Sequence, residues 1–284
     1  MEKPYRSSFV NVNGIRTRYV EAGEGVPLVC IHGGGPGASG EHGFKNNIPY
    51  LAKTFRVIAP DMLGYGYTDK PAIQYWEQRL VDHVSAFIDT LCLERFHIMG
   101  NSMGAYVAAK YTLDHPERVM KLLMISSGSI ANAMGLPRQT ETDGMKAMAA
   151  LRSGMTKEKM RALLETLVHQ KQNITDELID SRIKAASLPG AMEAQRSHSE
   201  FRSRLKDDEN LKQLFELTHR LPRLSLPTCL VWGKQDRFAP VAQAYELKQM
   251  LPRLTQFHVL ENSGHQCQND EVERFNEIAL KFFS

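Results

Sequence analysis

Short apolar segments alternate with helical segments along most of the chain. Residues 16–21 alternate between polar and apolar side chains, which is typical of an antiparallel strand with one face in water. Continuous apolar runs indicate strands buried on both faces, at residues 27–31, 55–59, 96–99, 121–126, 228–232 and 256–260. Apolar side chains at helical spacing follow two of these runs, at residues 80–91 and 272–282. We expect Asp270 with Glu273 to open the second of these helices in the manner of a capping box. This alternation predicts an α/β fold, with a mostly parallel sheet and helices on both of its faces.

Residues 134–221 break this rhythm, because they show helical patterns and no convincing strand. Helices are expected at about 155–169, 175–186, 189–202 and 208–221, with Thr156 and Thr175 as N-caps. An all-helical insertion between two strands is typical of a lid over the carboxyl edge of the sheet, where open α/β sheets bind ligands. We therefore predict a core of residues 1–133 and 222–284, with a helical lid inserted at 134–221.

Composition narrows the classes of partner. The formal net charge is +3 without a long block of one sign, so no stripe for nucleic acid and no polybasic membrane patch is expected. No apolar stretch approaches the roughly 20 residues of a membrane span, and the first residues lack the apolar run of a secretory signal. The four cysteines, Cys30, Cys92, Cys229 and Cys267, lack the spacing of metal ligands. We expect a cytoplasmic protein that binds no metal.

The first candidate for chemistry is Gly100-Asn-Ser-Met-Gly104, which lies between an apolar run and a segment rich in alanine. A Gly-x-Ser-x-Gly motif places its serine on a sharp strand-to-helix turn, and its glycines let the backbone segments pack closely. By itself the motif is common, but here the predicted strand before it and the predicted helix after it supply the context that it requires. Ser102 is therefore the predicted nucleophile.

A glycine-rich segment, His32-Gly-Gly-Gly-Pro-Gly37, directly follows a predicted strand. Acyl-transfer chemistry needs backbone N–H groups directed at a developing oxyanion, and glycines let the backbone approach that closely. A phosphate-binding loop is the alternative, but Pro36 interrupts its pattern and no helix start with Lys-Ser/Thr follows. We expect the N–H groups of Gly34 and Met103 to form an oxyanion hole.

Two further segments also follow predicted strands, Trp232-Gly-Lys-Gln-Asp-Arg-Phe238 and Asn262-Ser-Gly-His-Gln266. An aspartate after a strand is usually a turn residue, and most of the ten histidines must be ordinary surface or core residues. Together with Ser102, however, Asp236 and His265 give the chain order Ser, Asp, His of the α/β-hydrolases. His265 is the predicted general base, and Asp236 is predicted to orient it.

These motifs resemble those of the meta-cleavage product hydrolases, and so does the segment Asp61-Met-Leu-Gly-Tyr-Gly-Tyr-Thr-Asp-Lys70. The resemblance covers nearly the whole chain and is weakest in the predicted lid. The resemblance implies an α/β-hydrolase fold that hydrolyses a C–C bond in 2-hydroxy-6-oxohexa-2,4-dienoates, the ring-fission products of aromatic degradation. It implies a small-molecule substrate with a carboxylate and no cofactor, and it leaves a homodimer or a higher homo-oligomer open. It also implies substrate contacts from five residues, Gly33, Asn101, Arg182, Phe238 and Gln266.

The sequence departs from the family's pattern at two positions. Gln266 follows the predicted base where the family commonly has Trp, and Gly43 stands where the family often has Asn. These changes leave the predicted triad in place but reshape the pocket. A carboxylesterase or lactonase with the same triad is therefore the first alternative. A perhydrolase-type enzyme and a binding protein with an inactive triad are the others.

Arg182 lies among the apolar positions of its predicted helix, with Leu178, Ile179, Ile183 and Ala186. A guanidinium on an apolar face needs an anionic partner. That partner is either a substrate carboxylate, which an arginine holds bidentately, or an acidic residue of the lid. A third alternative is that the side chain extends to water. The sequence alone leaves these alternatives open.

Overall fold

One sheet organises the part of the chain that the computed structural model describes, residues 3–139, 141–205 and 207–284. Within these residues eight strands have the order β1-β2-β4-β3-β5-β6-β7-β8. β2 is antiparallel to both β1 and β4, and every other neighbouring pair is parallel, so the predicted mostly parallel sheet is confirmed. The strands are β1 (Arg6–Val12), β2 (Ile15–Ala22), β3 (Pro27–Ile31), β4 (Arg56–Pro60), β5 (Phe96–Asn101), β6 (Val119–Ile125), β7 (Thr228–Gly233) and β8 (Gln256–Leu260).

Helices lie on both sides of the sheet and in a long segment between β6 and β7. Those before β6 are α1 (Gly40–Phe44), α2 (Ile48–Leu51), α3 (Glu77–Thr90) and α4 (Met103–Asp114). Between β6 and β7 come α5 (Gly128–Ala133), α6 (Asp143–Ala150), α7 (Lys157–Leu167), α8 (Asp176–Ala186), α9 (Ala191–Arg204) and α10 (Glu209–Phe215). After β7 come α11 (Ala242–Met250), α12 (Cys267–Asp270) and α13 (Val272–Phe283). None of the helices described here is long and apolar enough to cross a membrane.

Successive side chains of the strands pack into two apolar layers, one on each face of the sheet. In β3, Val29 and Ile31 belong to the layer that α3, α4 and α11 cover. Leu28 and Cys30, the alternate residues of the same strand, belong to the layer that α2 and α13 cover. The two-residue period of a strand produces this division. It also explains why these strands are continuous apolar runs in the sequence.

The described residues between β6 and β7 contain helices and no strand, as predicted. The side chains of Thr156 and Thr175 accept N–H groups at the starts of α7 and α8, which confirms both predicted N-caps. α10 ends at Phe215, earlier than predicted, where the Phe215 carbonyl accepts the hydroxyl of Tyr106. α6 was not predicted from the sequence. The division into a core and a lid at residues 134–221 stays a prediction.

Candidate active site

Ser102 lies at the turn that joins β5 to α4. Its backbone has φ 56° and ψ −120°, a conformation that is costly for a residue with a side chain and is often found at functional turns. Its N–H donates to the carbonyl of Ile125 at 2.8 Å, and the hydroxyl of Ser127 donates to its carbonyl at 2.6 Å. β6 and the residues that follow it therefore hold the turn in its strained conformation.

The two glycines of the serine motif leave no room for side chains. A Cβ atom on Gly100 would lie 2.2 Å from the carbonyl oxygen of Gly104, and one on Gly104 would lie 2.3 Å from those of Ile31 and His32. α4 therefore packs directly against β5 and against the end of β3, where the glycine-rich loop begins. This is the close packing that a strand–serine–helix turn requires.

Asp236 follows β7 and His265 follows β8, and the fold brings their side chains together. Nδ1 of His265 lies 2.8 Å from Oδ2 of Asp236, and both side chains are buried. Oδ1 of Asp236 accepts the N–H groups of Phe238 and Ala239 at 2.7 and 2.8 Å. A hydrogen on Nδ1 that is donated to the carboxylate leaves Nε2 free to take a proton from a nucleophile. The Phe238 ring packs on the imidazole at a centroid distance of 5.0 Å.

The glycine-rich loop lies beside the serine turn. A Cβ atom on Gly33 would be 3.3 Å from the Cβ of Ser102, and one on Gly34 would be 3.6 Å from the Met103 side chain. Met103 is the first residue of α4, where an N–H group has no partner within the helix. The fold thus brings Gly33, Gly34 and Met103 to Ser102. That the N–H groups of Gly34 and Met103 bind an oxyanion stays a prediction.

His32 holds this loop in place. Its Nε2 accepts the N–H of Met62 at 3.0 Å, which leaves the ring hydrogen on Nδ1, 2.7 Å from the carbonyl oxygen of Gly33. Burial, together with the charge of Arg182, lowers the pKa of His32 to about 4. The ring is therefore neutral near pH 7 and stabilises the loop backbone.

Asn101 and Gln266, two of the expected substrate contacts, bind neighbouring protein groups. The amide of Asn101 donates to the carbonyls of Ile125 and His265 at 3.3 and 3.0 Å. The side-chain oxygen of Gln266 accepts the amide of Asn269 at 3.2 Å, and the same amide lies 3.3 Å from the carbonyl oxygen of Gly43. Asn269 therefore bridges the two positions at which the sequence departs from the family's pattern.

Arg182 lies in α8 and is only 1% exposed. One Nη donates to the carbonyl of Pro36 at 2.9 Å, whereas Nε is buried without a hydrogen-bond partner. Burial lowers the pKa of Arg182 to about 10, and no carboxylate among the residues of the three described ranges forms an ion pair with it. The side chain therefore neither extends to water nor pairs with an acidic residue of the described helices between β6 and β7. A buried, unpaired guanidinium next to the glycine-rich loop is the strongest feature of the site that a ligand could complete.

Asp270 has a role that its local sequence pattern does not indicate. The sequence pattern of Asp270 and Glu273 is typical of a capping box, but α13 starts at Val272 without a side-chain cap. The carboxylate of Asp270 instead accepts three backbone N–H groups, from Gly264, His169 and Gln170. The capping prediction is wrong because a partner 100 residues away along the chain competes for the same carboxylate.

The geometry suits nucleophilic acyl transfer. It combines a serine on a strained turn, a buried imidazole whose Nδ1 faces a carboxylate, and glycine backbone beside the serine. Across the described ranges, no group of three or more His, Cys, Asp or Glu side chains could hold a metal ion.

Known proteins are similar to this chain in both fold and sequence. Residues 26–271 match a family model described as alpha/beta hydrolase fold. The solved structure of a meta-cleavage product hydrolase from Pseudomonas fluorescens IP01 superposes with a TM-score of 0.81, at 31% identity and over 97% of each chain. The chain belongs to the meta-cleavage product hydrolases of the α/β-hydrolase fold family. The predicted fold class is thereby confirmed, and the chain is a hydrolase.

Two relatives within the meta-cleavage product hydrolases show how far the similarity extends. The chain is 35% identical to the 2-hydroxy-6-oxononadienedioate/2-hydroxy-6-oxononatrienedioate hydrolase of Paraburkholderia phymatum, over 97% of this chain and 95% of that protein. It is 32% identical to the 2-hydroxy-6-oxo-6-(2'-aminophenyl)hexa-2,4-dienoic acid hydrolase of Metapseudomonas resinovorans, over 100% of this chain and 92% of that protein. The names of these two proteins differ in the group at C6, so membership alone does not define the C6 substituent.

Proposed function

We propose that this hydrolase cleaves a C–C bond in a 2-hydroxy-6-oxohexa-2,4-dienoate-type ring-fission product, with Ser102, His265 and Asp236 as catalytic triad. The observation that carries the proposal is the buried guanidinium of Arg182. Its Nε–H group can donate a hydrogen bond but has no partner among the described residues. A dienoate brings the carboxylate that would complete this site, whereas an ordinary ester need not. The names of the two relatives, both hydrolases of such dienoates, support the same substrate class.

The reaction begins with a proton transfer, because a carbanion is a poor leaving group without an electron sink. The dienol becomes a ketone when the 2-hydroxyl loses its proton and C5 gains a proton. His265 mediates this proton transfer. Nε2 of His265 then takes the proton of the Ser102 hydroxyl as Oγ attacks the C6 ketone. The backbone N–H groups of Gly34 and Met103 stabilise the oxyanion that forms.

Collapse of the oxyanion breaks the bond between C5 and C6. The electron pair moves through the C3–C4 double bond to the 2-oxo oxygen, and this oxygen takes the proton from His265. The C1–C5 fragment then leaves as 2-hydroxypenta-2,4-dienoate. The C6 carbonyl remains on Ser102 as an ester. Water activated by His265 hydrolyses this ester and releases a carboxylic acid. Asp236 keeps the imidazole in the tautomer that both steps need.

We expect the helices between β6 and β7 to move when a substrate enters. Arg182 and His265 are 1% and 4% exposed, whereas Ser102 is partly exposed. The carboxylate of a substrate would replace the missing partner of Arg182, and the carbonyl of Pro36 would keep the guanidinium oriented. Expulsion of water from the closed site strengthens this charge-assisted contact.

The test compares two substrates in two arginine variants. Arg182→Gln should lower kcat/KM on 2-hydroxy-6-oxo-6-phenylhexa-2,4-dienoate by roughly 30- to 800-fold, which corresponds to about 2–4 kcal/mol. The same variant should hydrolyse p-nitrophenyl acetate at nearly the wild-type rate, because that ester has no anion to lose its partner. The matched control is Arg161→Gln, since Arg161 is a lid arginine that pairs with Asp176 at the surface.

Two outcomes would contradict the proposal. Equal losses on both substrates, or a loss on neither, would make Arg182 a structural residue of the lid. A wild-type protein that hydrolyses neutral esters much faster than any dienoate would favour the carboxylesterase or lactonase alternative.

A further inference from the structure

The carboxylate of Asp270 joins the loop of the catalytic base to the lid. Oδ2 accepts the N–H of Gly264 at 2.7 Å and the N–H of His169 at 2.8 Å, and Oδ1 accepts the N–H of Gln170 at 2.9 Å. Gly264 directly precedes His265, whereas His169 and Gln170 follow α7 of the lid. Asp270 is 6% exposed, so these bonds are shielded from water.

Both residues that flank His265 touch the same piece of the lid, residues 167–170, which we call the strap. A Cβ atom on Gly264 would lie 3.1 Å from the N of His169 and from the carbonyl oxygen of Leu167. On the other side, the N–H of Gln266 donates to the carbonyl of Leu167 at 2.8 Å. The strap therefore packs along the backbone that sets the direction of the imidazole.

We propose that Asp270 is a positioning residue for His265, and that it couples the position of the catalytic base to the docking of the strap. Asp270 acts through the backbone of Gly264 and contacts neither substrate nor the reacting atoms. The inference rests on the triad proposed above. Its physical basis is that a base displaced by a fraction of an ångström loses much of its effect on the reaction.

The carboxylate of Asp270 lies in an environment that disfavours its charge. Burial raises the pKa of Asp270, although the three N–H groups favour its ionised form. An ionised carboxylate at this position is therefore costly. An acceptor with two oxygens is nevertheless required here, because the bonded N–H groups belong to two different segments.

The neighbouring residue provides a contrast. The carboxylate of Glu271 accepts the N–H of Asn262 at 2.9 Å and the hydroxyl of Ser263 at 2.7 Å. Both groups belong to the loop between β8 and His265, which we call the base loop, and neither belongs to the lid. A second contrast is Glu77 of α3, which pairs with His198 and Arg202 of α9 and so holds the lid at a place remote from the base loop.

The first experiment measures the triad without a dienoate. Asp270→Asn puts an amide NH₂ where one acceptor oxygen lies, so it should slow labelling of Ser102 by a fluorophosphonate by roughly 10- to 100-fold. On p-nitrophenyl acetate kcat should fall in parallel while KM stays within about 3-fold. The low-field proton resonance of the His265–Asp236 bond should broaden or shift. Asp270→Glu, which keeps both oxygens, should restore part of the rate.

Two controls separate positioning from general loosening. Glu77→Gln loosens the lid elsewhere and should keep the low-field resonance and a labelling rate within about 3-fold of wild type. Ser102→Ala must abolish labelling. If it does not, the proposed triad is wrong, and that failure is distinct from a failure of the inference about Asp270.

A backbone variant tests the strap without altering the carboxylate. Gln170 has φ −86°, close to the range of a proline. Gln170→Pro therefore removes the N–H that Oδ1 accepts, together with the side chain that accepts the amide of Gln172. Its matched control, Gln170→Ala, removes the same side chain and keeps the N–H. The proline variant should lose kcat and the low-field resonance in the same sense as Asp270→Asn, and the alanine variant should lose neither.

This pair decides the question if Asp270→Asn does not fold. Wild-type labelling and an unchanged resonance in Gln170→Pro, or equal losses in Gln170→Pro and Gln170→Ala, would overturn the inference. An Asp270→Asn variant that folds and labels at the wild-type rate would do the same.

Discussion

Gly37 of the glycine-rich loop packs against the backbone of Arg182, so that a Cβ atom on residue 37 would lie 2.0 Å from the Arg182 carbonyl oxygen. Gly37 also has φ +69°, a conformation that favours glycine. The close approach explains how the guanidinium reaches the carbonyl of Pro36 from a lid helix. α8 and the loop beside Ser102 are therefore in direct backbone contact.

Gly37→Ala should push α8 away from the loop. We expect a loss of about 2–4 kcal/mol in the free energy of unfolding, from backbone strain and the clash together. The matched control is Gly14→Ala, because Gly14 has φ +88° and nothing lies within 4 Å of its Cβ position. That variant should lose only about 1 kcal/mol. Urea denaturation of both variants measures the difference. Equal losses in the free energy of unfolding would mean that α8 moves away from residue 37 without destabilising the protein.

Ser102→Ala tests the proposed nucleophile. The variant should fold, since the turn is held by backbone hydrogen bonds, and its kcat should fall on the order of 10³-fold or more. Ser203→Ala is the control, because the Ser203 hydroxyl bonds only within the exposed surface of α9. Steady-state rates on a dienoate and on p-nitrophenyl acetate give the comparison. A near-wild-type rate in Ser102→Ala would assign the chemistry to another residue.

The ion pairs of Glu77 should make the docking of α9 sensitive to acid. Burial alone would raise the pKa of Glu77, but His198 and Arg202 outweigh burial and lower it from 4.5 to about 2. The stabilisation is therefore complete above about pH 4.5 and is lost as the pH falls to about 2. Glu77→Gln should be less stable than wild type by up to about 3 kcal/mol at pH 6. Thermal unfolding at several pH values should show this gap closing below pH 4; a constant gap would contradict the assignment.

His42 should add a second acid-sensitive contribution at the junction of loop and lid. Its ring bonds the Gly37 carbonyl at 3.0 Å and the Ser181 hydroxyl at 2.9 Å, and burial, with the charge of Arg182, lowers its pKa from 6.5 to about 3. The unfolded chain binds this proton first, so stability falls as the pH drops from about 6.5 to about 3.

His42→Gln should flatten the pH dependence of the free energy of unfolding, by up to about 1.4 kcal/mol per pH unit in that range. The slope is compared, because the variant also changes packing at every pH. Identical slopes in wild type and variant would show that His42 binds a proton equally well in the folded chain.

Local patterns along the chain determined most of the fold. Strands β3 to β7 are largely buried on both faces, so each is a mostly apolar run, and the threonine caps mark where α7 and α8 begin. The sequence also suggested Ser102, Asp236 and His265 as candidates for one site, because each comes shortly after a strand and parallel strands end at one edge of the sheet. Their roles as a triad stay a prediction. Such signals depend on residues a few positions apart, which a single sequence contains.

The contacts of the buried charges were decided only by the tertiary structure. The sequence placed Arg182 on an apolar face, but only the fold shows that the described residues offer it a carbonyl and no carboxylate. The sequence likewise assigned Asp270 to a helix cap, whereas two of its three partners, His169 and Gln170, lie about 100 residues away along the chain. A charged side chain bonds whatever groups the fold brings within about 3 Å, whatever their separation along the chain.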